Sequence, residues 1–399
     1  MVEEFHIDKE TNILLLSYTN RAVDEICEML ENISTDIEYI RIGGELSCSK
    51  PYQPRLLKNV MQTCRNRADV VARLNGIRIY TGTVSSIMGH PELFELKHFD
   101  VAIIDEASQI LEPQIIGILC AHKGNLCAID KFILIGDHKQ LPAVVLQPIQ
   151  DSIVNKPSLH EIGLTDCRNS LFERLLSNQQ STHSHAMLHR QGRMHPTISD
   201  FVNVHFYDNK LDIVPVPHQL SPLEWNIYDE TDTLQHQVAT QRFTFINTPY
   251  PPIEDSNKVN RNEAVHAAQI VNTIHTLCVQ NQLPFNASKR IGIIVPFRNQ
   301  ISMIAHELAK LGIPETSDIT IDTVERYQGS QRDIIIFSTT ISQPYQLQIL
   351  SVPTRLTNGE VIDRKLNVAI TRAKKQLFII GNAHLLSQNP IYQKLIEYS

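Results

Sequence analysis

The stretch V-A-I-I-D-E-A-S-Q-I, residues 101–110, drives four apolar residues straight into two adjacent carboxylates, Asp105 and Glu106. A short apolar run that ends in polar residues reads as a buried strand leaving the core at its carboxyl end. Open α/β sheets place their ligands at that end. Two carboxylates there can divide a task, one holding a hydrated Mg²⁺ while the other faces a water molecule. The simpler reading is a strand that runs out into a solvated loop. The rest of the chain decides between them.

Similar apolar runs stand at 13–16 (I-L-L-L), 77–84 (I-R-I-Y-T-G-T-V) and 132–135 (F-I-L-I), separated by stretches of helical spacing such as 22–30, apolar at 22, 23, 26 and 30. Strands alternating with helices predict a parallel sheet covered on both faces. A second series follows at 243–246, 291–295, 319–324, 334–337 and 377–380. The expected fold class is therefore α/β, with two domains built on mainly parallel sheets. The polar, aperiodic S-N-Q-Q-S-T-H-S-H at 177–185 marks the boundary, giving expected domains 1–185 and 186–399. Residues 214–262, rich in Pro, Asp and Asn, read as a surface excursion of the second domain.

At 399 residues, the chain exceeds what one ordinary core accommodates. Its 42% hydrophobic and 20% charged residues are those of a folded globular protein. No apolar run approaches the roughly 20 residues that span a bilayer, so no membrane is expected. The opening M-V-E-E-F-H-I-D-K-E is acidic and polar, unlike a secretory signal. Seven cysteines without a C-x-x-C pair suggest reduced thiols in a cytoplasmic protein. The net charge of −7 argues against a generally basic nucleic-acid binder. Local phosphate grip remains open, because affinity depends on where Lys and Arg converge.

Four further segments carry chemistry. F-I-L-I-G-D-H-K-Q-L-P (132–142) repeats the pattern of strand into polar loop, and if its strand neighbours the first, Gln140 reaches the same site. L-H-R-Q-G-R-M-H-P (188–196) and L-N-V-A-I-T-R-A (366–373) lie in the other half. In the latter, Asn367 and Thr371 are four apart with Arg364 and Arg372 flanking, so a helix would show a polar face. An Arg on a helix is usually a solvated charge, but one presented to a phosphoryl group would stabilise its transfer. D-T-V-E-R-Y-Q-G-S-Q-R-D (322–333) places a tight turn at Gln328-Gly329 ahead of a buried strand. His183, His185, His189 and His195 also cluster in sequence, a spacing that can ligate Zn²⁺ or Cu²⁺ but is ordinary in a polar linker.

Taken in order, these segments resemble superfamily-one helicases, in the branch that includes the nonsense-mediated-decay RNA helicase and the Okazaki-fragment-processing helicase-nucleases. S-Y-T-N-R-A-V-D-E-I (17–26) is similar to motif Ia, G-T-V-S-S (82–86) to the next strand-contacting motif, D-E-A-S (105–108) to motif II and G-D-H-K-Q-L-P (136–142) to motif III. Q-G-R-M-H-P (191–196), T-V-E-R-Y-Q-G-S-Q-R-D (323–333) and D-R-K-L-N-V-A-I-T-R-A (363–373) resemble motifs IV, V and VI. The resemblance implies two RecA-like domains of the P-loop NTPase fold, ATP and Mg²⁺ as cofactors, and 5′-to-3′ movement along single-stranded DNA or RNA. It assigns Mg²⁺ to Asp105, water activation to Glu106, γ-phosphate contacts to Gln140, Arg193 and Arg372, and a nucleotide contact to Gln331. Thr19, Asn20, Thr83 and Ser85 of the first domain, with Pro296, Arg298 and Gln328 of the second, would touch the nucleic-acid backbone.

The sequence departs from that family at the nucleotide. A phosphate cradle G-x-x-x-x-G-K-[ST], whose N–H groups and Lys hold the β and γ phosphates, occurs nowhere in the 399 residues. Gly192 stands where many members carry a Tyr that stacks on adenine, and Gln331 where a Glu commonly meets the ribose. The expectation is an N-terminally incomplete first domain, a fragment with little activity alone, its Walker A loop supplied by an upstream segment or another protein. The alternative expectation is a non-catalytic pseudo-helicase module that binds nucleic acid or a partner.

Overall fold

In the computed structural model, residues 10–177, 184–249, 258–356 and 359–399 are described. The chain divides into two units, Met1–His185 and Ala186–Ser399.

The first unit is built on five parallel strands: β1 (Ile13–Ser17), β2 (Tyr39–Ile42), β3 (Ile79–Thr83), β4 (Phe99–Ile104) and β5 (Ile129–Leu134), in the order β2-β3-β1-β4-β5. Continuous apolar runs suit this sheet because both its faces are covered. Leu14, Leu16, Ala102 and Ile104 enter one apolar cluster, while Ile13, Leu15, Val101 and Ile103 enter another on the opposite face. Each fully buried Leu or Ile contributes about 1.5–3 kcal/mol, so the central strands carry much of the unit's stability. Helix α1 (Asn20–Ile33) follows β1 and buries Val23, Cys27 and Leu30 along one stripe. Helices α2 (Val84–Met88) and α3 (Glu112–Leu119) follow β3 and β4.

The second unit repeats the plan. Its strands β6 (Phe243–Asn247), β7 (Ile291–Val295), β8 (Thr320–Thr323), β9 (Arg332–Ser338) and β10 (Ala373–Gly381) lie in the order β6-β10-β9-β7-β8, all parallel. Its helices include α4 (Pro196–Phe206), α5 (Thr233–Thr240), α6 (Arg261–Gln280), α7 (Arg298–Ala309), α8 (Val324–Tyr327) and α9 (Arg364–Ile370). Ile291, Ile293, Ile334, Ile336 and Phe378 pack with Ile270, Ile274 and Leu277 of α6. At Gly292 of β7 any Cβ would collide with the side chain of Tyr327, the last residue of α8, and with that of Arg332. Two five-stranded parallel sheets with interleaved helices form two α/β units, as the apolar periodicity implies, and they match the RecA-like domains that the family resemblance implies.

One expectation needs correction. The region 214–262 is not a surface excursion throughout: Trp225, Val238 and Ala239 are buried in the core of the second unit. Asp232 caps α5 by accepting from the Leu234 and Gln235 N–H groups at 3.0 and 3.1 Å, and α5 then packs on α6. Strand β6 completes the sheet beside β10. Polar capping and turn residues concealed a few widely spaced apolar anchors. Residues 250–257 of this stretch lie outside the described residues.

Among the described residues, no helix is long and apolar enough to cross a membrane.

Candidate nucleotide and nucleic-acid sites

In the first unit β4 and β5 are neighbours, with Ile103 opposite Ile133 and Ile104 opposite Leu134. Their carboxyl ends therefore deliver Asp105-Glu106 and the Gly136–Pro142 loop to one rim. The two loops are laced together: the Ile135 N–H donates to the Ile104 carbonyl at 2.8 Å and the Ala107 N–H to the Ile135 carbonyl at 2.8 Å. A Cβ on Gly136 would come within 2.9 Å of the Ser108 backbone nitrogen. That close approach requires glycine. Gly136→Ala is expected to cost about 1–3 kcal/mol through overpacking, read as a lower melting temperature. An unchanged melt would show that the loop yields freely.

Burial raises the Asp105 carboxyl above its ordinary value, opposed by a backbone hydrogen bond from Glu106. A half-buried carboxylate with raised proton affinity is a hard oxygen donor whose ionised form a divalent cation would stabilise. Asp105 therefore fits Mg²⁺. Glu106 adopts a left-handed backbone, φ 53°, uncommon for a residue with a Cβ and frequent at functional turns. Its Oε2 accepts from Gln109 Nε2 at 2.6 Å. Gln140 donates from Nε2 to Asp137 Oδ2 at 2.9 Å, while Asp137 Oδ1 accepts from the Lys139 N–H at 2.9 Å. The loop is thus held by its own carboxylate.

Thr19 and Thr83 sit at the carboxyl ends of the adjacent strands β1 and β3. Both are helix caps: Thr19 Oγ1 accepts from the Ala22 N–H at 3.2 Å and Thr83 Oγ1 from the Ser86 N–H at 3.0 Å. Capping is worth about 1 kcal/mol, so each has a structural task. Thr83 is buried, whereas Thr19, Asn20 and Ser85 are exposed on the same rim.

The second unit gathers three distant segments around Arg193. Its Nε donates to Gln331 Oε1 at 3.0 Å and its Nη1 to the Thr371 carbonyl at 3.3 Å. Gln191 Oε1 fixes the loop by accepting from the Arg193 and Met194 N–H groups at 3.0 and 2.8 Å. Arg372 is 2% exposed and donates to the Val368 carbonyl and to Thr371 Oγ1, each at 3.0 Å. The polar residues of α9 and its end, Arg364, Asn367, Thr371 and Arg372, are all buried. The polar face read from the sequence therefore points inward. Asp363 caps α9 by accepting from the Leu366 N–H at 3.0 Å, and burial raises its carboxyl. Gly192 is exposed, with only Val214 near the place a side chain would occupy.

A groove of about 510 Å³ opens beside the carboxyl ends of β7 and β8. Pro296 and Arg298, which the resemblance assigns to a nucleic-acid backbone, line it together with Lys258, Thr323, Glu325 and Arg326. Glu325 pairs with Lys365 at 3.0 Å, so three cations face one neutralised carboxylate. Gln328 lies just beyond at the turn, where Gly329 takes φ 77°. Its Nε2 is buried without a hydrogen-bond partner among the described residues. Lys258 and Arg326 escape the motif reading. Arg326 was visible inside T-V-E-R-Y-Q-G, whereas Lys258 reaches the groove from a polar segment with no local pattern.

The histidine cluster has other occupations. His195 Nδ1 caps α4 by accepting from the Thr197 N–H at 3.2 Å, and burial, aided by Arg242 and His218, pushes its ring down to about 4. His189 bonds the Lys210 carbonyl at 3.0 Å. His183 lies outside the described residues. Among the described residues, the grouping with metal-ligand spacing is instead His98, Asp100 and Asp130.

Comparison with known proteins accords with this geometry. Two AAA-domain family models match, one over residues 167–384 and one over residues 55–148. The chain is 30% identical over 391 residues to the DNA replication ATP-dependent helicase/nuclease JHS1 of Arabidopsis thaliana, covering 97% of this chain and 26% of that protein. It is 27% identical to the uncharacterized ATP-dependent helicase MJ0104 of Methanocaldococcus jannaschii, covering 96% of this chain and 48% of that one. Against the 5′-3′ DNA helicase ZGRF1 of Mus musculus it is 25% identical, covering 97% and 20%. The chain thus spans half or less of the length of each of these relatives. With an AAA-domain match over more than half its length and its motif-like segments meeting at strand ends in both units, the chain belongs to the superfamily-one helicases, in the Upf- and Dna2-like branch.

Proposed function

We propose that this chain carries the motor residues of an ATP-dependent helicase that moves 5′ to 3′ along single-stranded nucleic acid. The observation that supports it best is the meeting of Arg193, Gln331, Thr371 and Arg372 from three distant segments of the second unit. The Arg193 guanidinium, held on the Gln331 amide and braced through Thr371 by the buried Arg372, suits the charge that builds on a transferring phosphoryl group. In the first unit Asp105 would hold Mg²⁺ and Glu106 would orient and deprotonate the attacking water, with Gln140 reading the γ-phosphate. The metal ion supplies charge neutralisation on the phosphate oxygens. Gln331 would meet the ribose.

The strand would be held by Thr19, Asn20, Thr83 and Ser85 on the first unit and by Pro296, Arg298 and Gln328 on the second. Neutral hydroxyl and amide contacts position a backbone without reading bases. The cationic groove adds Lys258 and Arg326, which reconciles a net charge of −7 with phosphate binding. DNA is favoured as the track because relatives are DNA helicases by name, and the 5′-to-3′ direction is carried by one such name.

The alternative, a non-catalytic strand- or partner-binding module, draws on Gly192, Gln331 and the missing phosphate-cradle sequence. The motor reading and the strand-binding form of the alternative both require strand binding. Fluorescence anisotropy with a labelled single-stranded oligonucleotide is expected to show saturable binding at low salt. Arg298→Ala and Arg326→Ala should each weaken it about three- to tenfold and reduce the salt slope by about 1. Absence of binding even at low salt would sink the motor and the strand-binding module alike and leave a partner-binding module.

A further inference from the structure

The second unit contains a fully buried carboxyl that none of the proposed motor residues uses. Glu263, in the first turn of α6, is 0% exposed. Its Oε2 accepts from the Ser338 hydroxyl and the Thr340 N–H, each at 2.7 Å, and its Oε1 accepts from Asn260 Nδ2 at 3.1 Å and Thr339 Oγ1 at 3.4 Å. All four neighbours donate, which matches an ionised carboxylate, an acceptor at every lone pair. These neighbours come from the cap of α6 and from the end of β9, and all are uncharged. Thr340 is held at φ 60°, a left-handed conformation that a β-branched residue adopts only when its surroundings enforce it. The bond from its N–H to Glu263 is part of that enforcement.

The network continues to the cationic groove. Gln300, also 0% exposed, clasps the backbone of Asn260 from both sides: its Oε1 accepts from the Asn260 N–H at 2.8 Å and its Nε2 donates to the Asn260 carbonyl at 2.9 Å. Its Nε2 also lies 3.3 Å from Ser338 Oγ. Gln300 belongs to the first turn of α7, which Arg298 opens, and Asn260 lies two residues from Lys258. Both cations line the groove. One carboxylate therefore ties together the two segments that present charge to the same opening.

We propose that Glu263 is the positioning residue of this groove: through Asn260 and Gln300 it sets Lys258 and Arg298 at the spacing needed to grip a phosphodiester backbone. The inference rests on the strand-binding reading of the groove. Loss of the carboxylate's charge converts an acceptor for four donors into a group that must itself donate, and the clasp loosens.

The buried carboxyl also gives the test a sign that mere structural support would not produce. Burial pushes Glu263 up from the ordinary 4.5 to about 8, against the pull of Ser338, Thr340 and Thr339. A raised folded-state value means that the folded protein retains a proton which the unfolded chain releases between these limits. The stability so conferred is complete below about pH 4.5 and is lost as pH rises through about 8. Positioning runs the other way, because the ionised form makes the clasp. Melting temperature should fall from pH 6 to pH 9 while oligonucleotide affinity rises.

The experiment measures anisotropy of a labelled oligothymidylate of about 20 nucleotides, beside thermal melts, at pH 6 to 9 for the full chain, Glu263→Gln, Glu263→Asp and Gln300→Ala. The wild-type affinity is expected to strengthen through about pH 8. Glu263→Gln should bind about tenfold more weakly at pH 9, with a flat profile, and Glu263→Asp should restore the slope in part. Should Glu263→Gln fail to fold, Gln300→Ala carries the test. It cuts the link to α7 while leaving the carboxyl in place, so affinity falls and the pH dependence of melting persists. Equal affinity and equal pH profiles for wild type and Gln300→Ala would overturn the positioning role alone. No strand binding by the wild type at any pH would overturn the groove reading, and the proposal with it.

Discussion

Replacing Arg372 by Ala is expected to destabilise the protein by about 3 kcal/mol, a fall of about 6–12 °C in the melting temperature of a unit of this size. The guanidinium is 2% exposed, and its Nε and Nη2 satisfy the Val368 carbonyl and the Thr371 hydroxyl. Truncation leaves a void, two buried acceptors deprived of a donor, and a Thr371 whose carbonyl also anchors Arg193. Arg372→Lys keeps the charge but loses the planar fork that reaches two acceptors at once, so it should recover only part of the loss. A solvated surface Arg would cost at most about 0.5 kcal/mol on truncation. Differential scanning calorimetry separates these cases directly. A shift below about 2 °C for Arg372→Ala would mean that the side chain is not the internal strut described above, and the route from Thr371 to Arg193 would lose its support.

The same residue shows what the sequence discloses and what it hides. The strand runs 13–16, 101–104, 291–295 and 334–337 were legible because both faces of a parallel sheet are buried, so the chain must be apolar without interruption there. Two segments with the same strand-into-loop pattern raised the neighbouring of β4 and β5 only as a condition, which the structure meets by pairing them. Helix α9 was legible as a helix with polar residues on one side, but not which way that side faces. Periodicity reports that a face differs, whereas burial depends on what packs against it. Arg193 and Gln331, 138 positions apart, meet only because β9 and β10 are adjacent. The resemblance assigns Thr19 and Thr83 to the nucleic-acid backbone, and the structure shows that both also cap helices, because a Thr before a helix accepts from its free N–H groups. Glu263 escaped notice for a related reason. Its partners at 338–340 lie 75 to 77 residues away, and a lone Glu in the first turn of a helix reads as an ordinary capping charge.

Hydrolysis of ATP by the 399-residue chain is expected to stay far below 1 s⁻¹, the lower end of the ordinary enzyme range, with or without single-stranded DNA. Asp105 and Glu106 suit metal and water, and Arg193 and Arg372 suit developing phosphate charge. None of them replaces a loop of N–H groups and a Lys that hold the β and γ phosphates before reaction begins. Positioning is most of what lowers the barrier to phosphoryl transfer, so the proposed motor, with metal-binding, base and arginine groups but no cradle, should idle. The decisive comparison supplies a strand, a G-x-x-x-x-G-K-[ST] loop and a helix ahead of the chain, and measures phosphate release with and without oligonucleotide. A rise of about a hundredfold or more that requires the strand would establish the motor reading. In that extended protein Glu106→Gln should lower turnover by about 10²–10⁴, the usual worth of a positioned general base, without weakening strand binding. Turnover near 1 s⁻¹ by the chain alone would show that other residues do the cradle's work. Strand binding by both proteins with hydrolysis by neither would favour the non-catalytic module, with Asp105 and Glu106 serving there as the polar end of a buried strand.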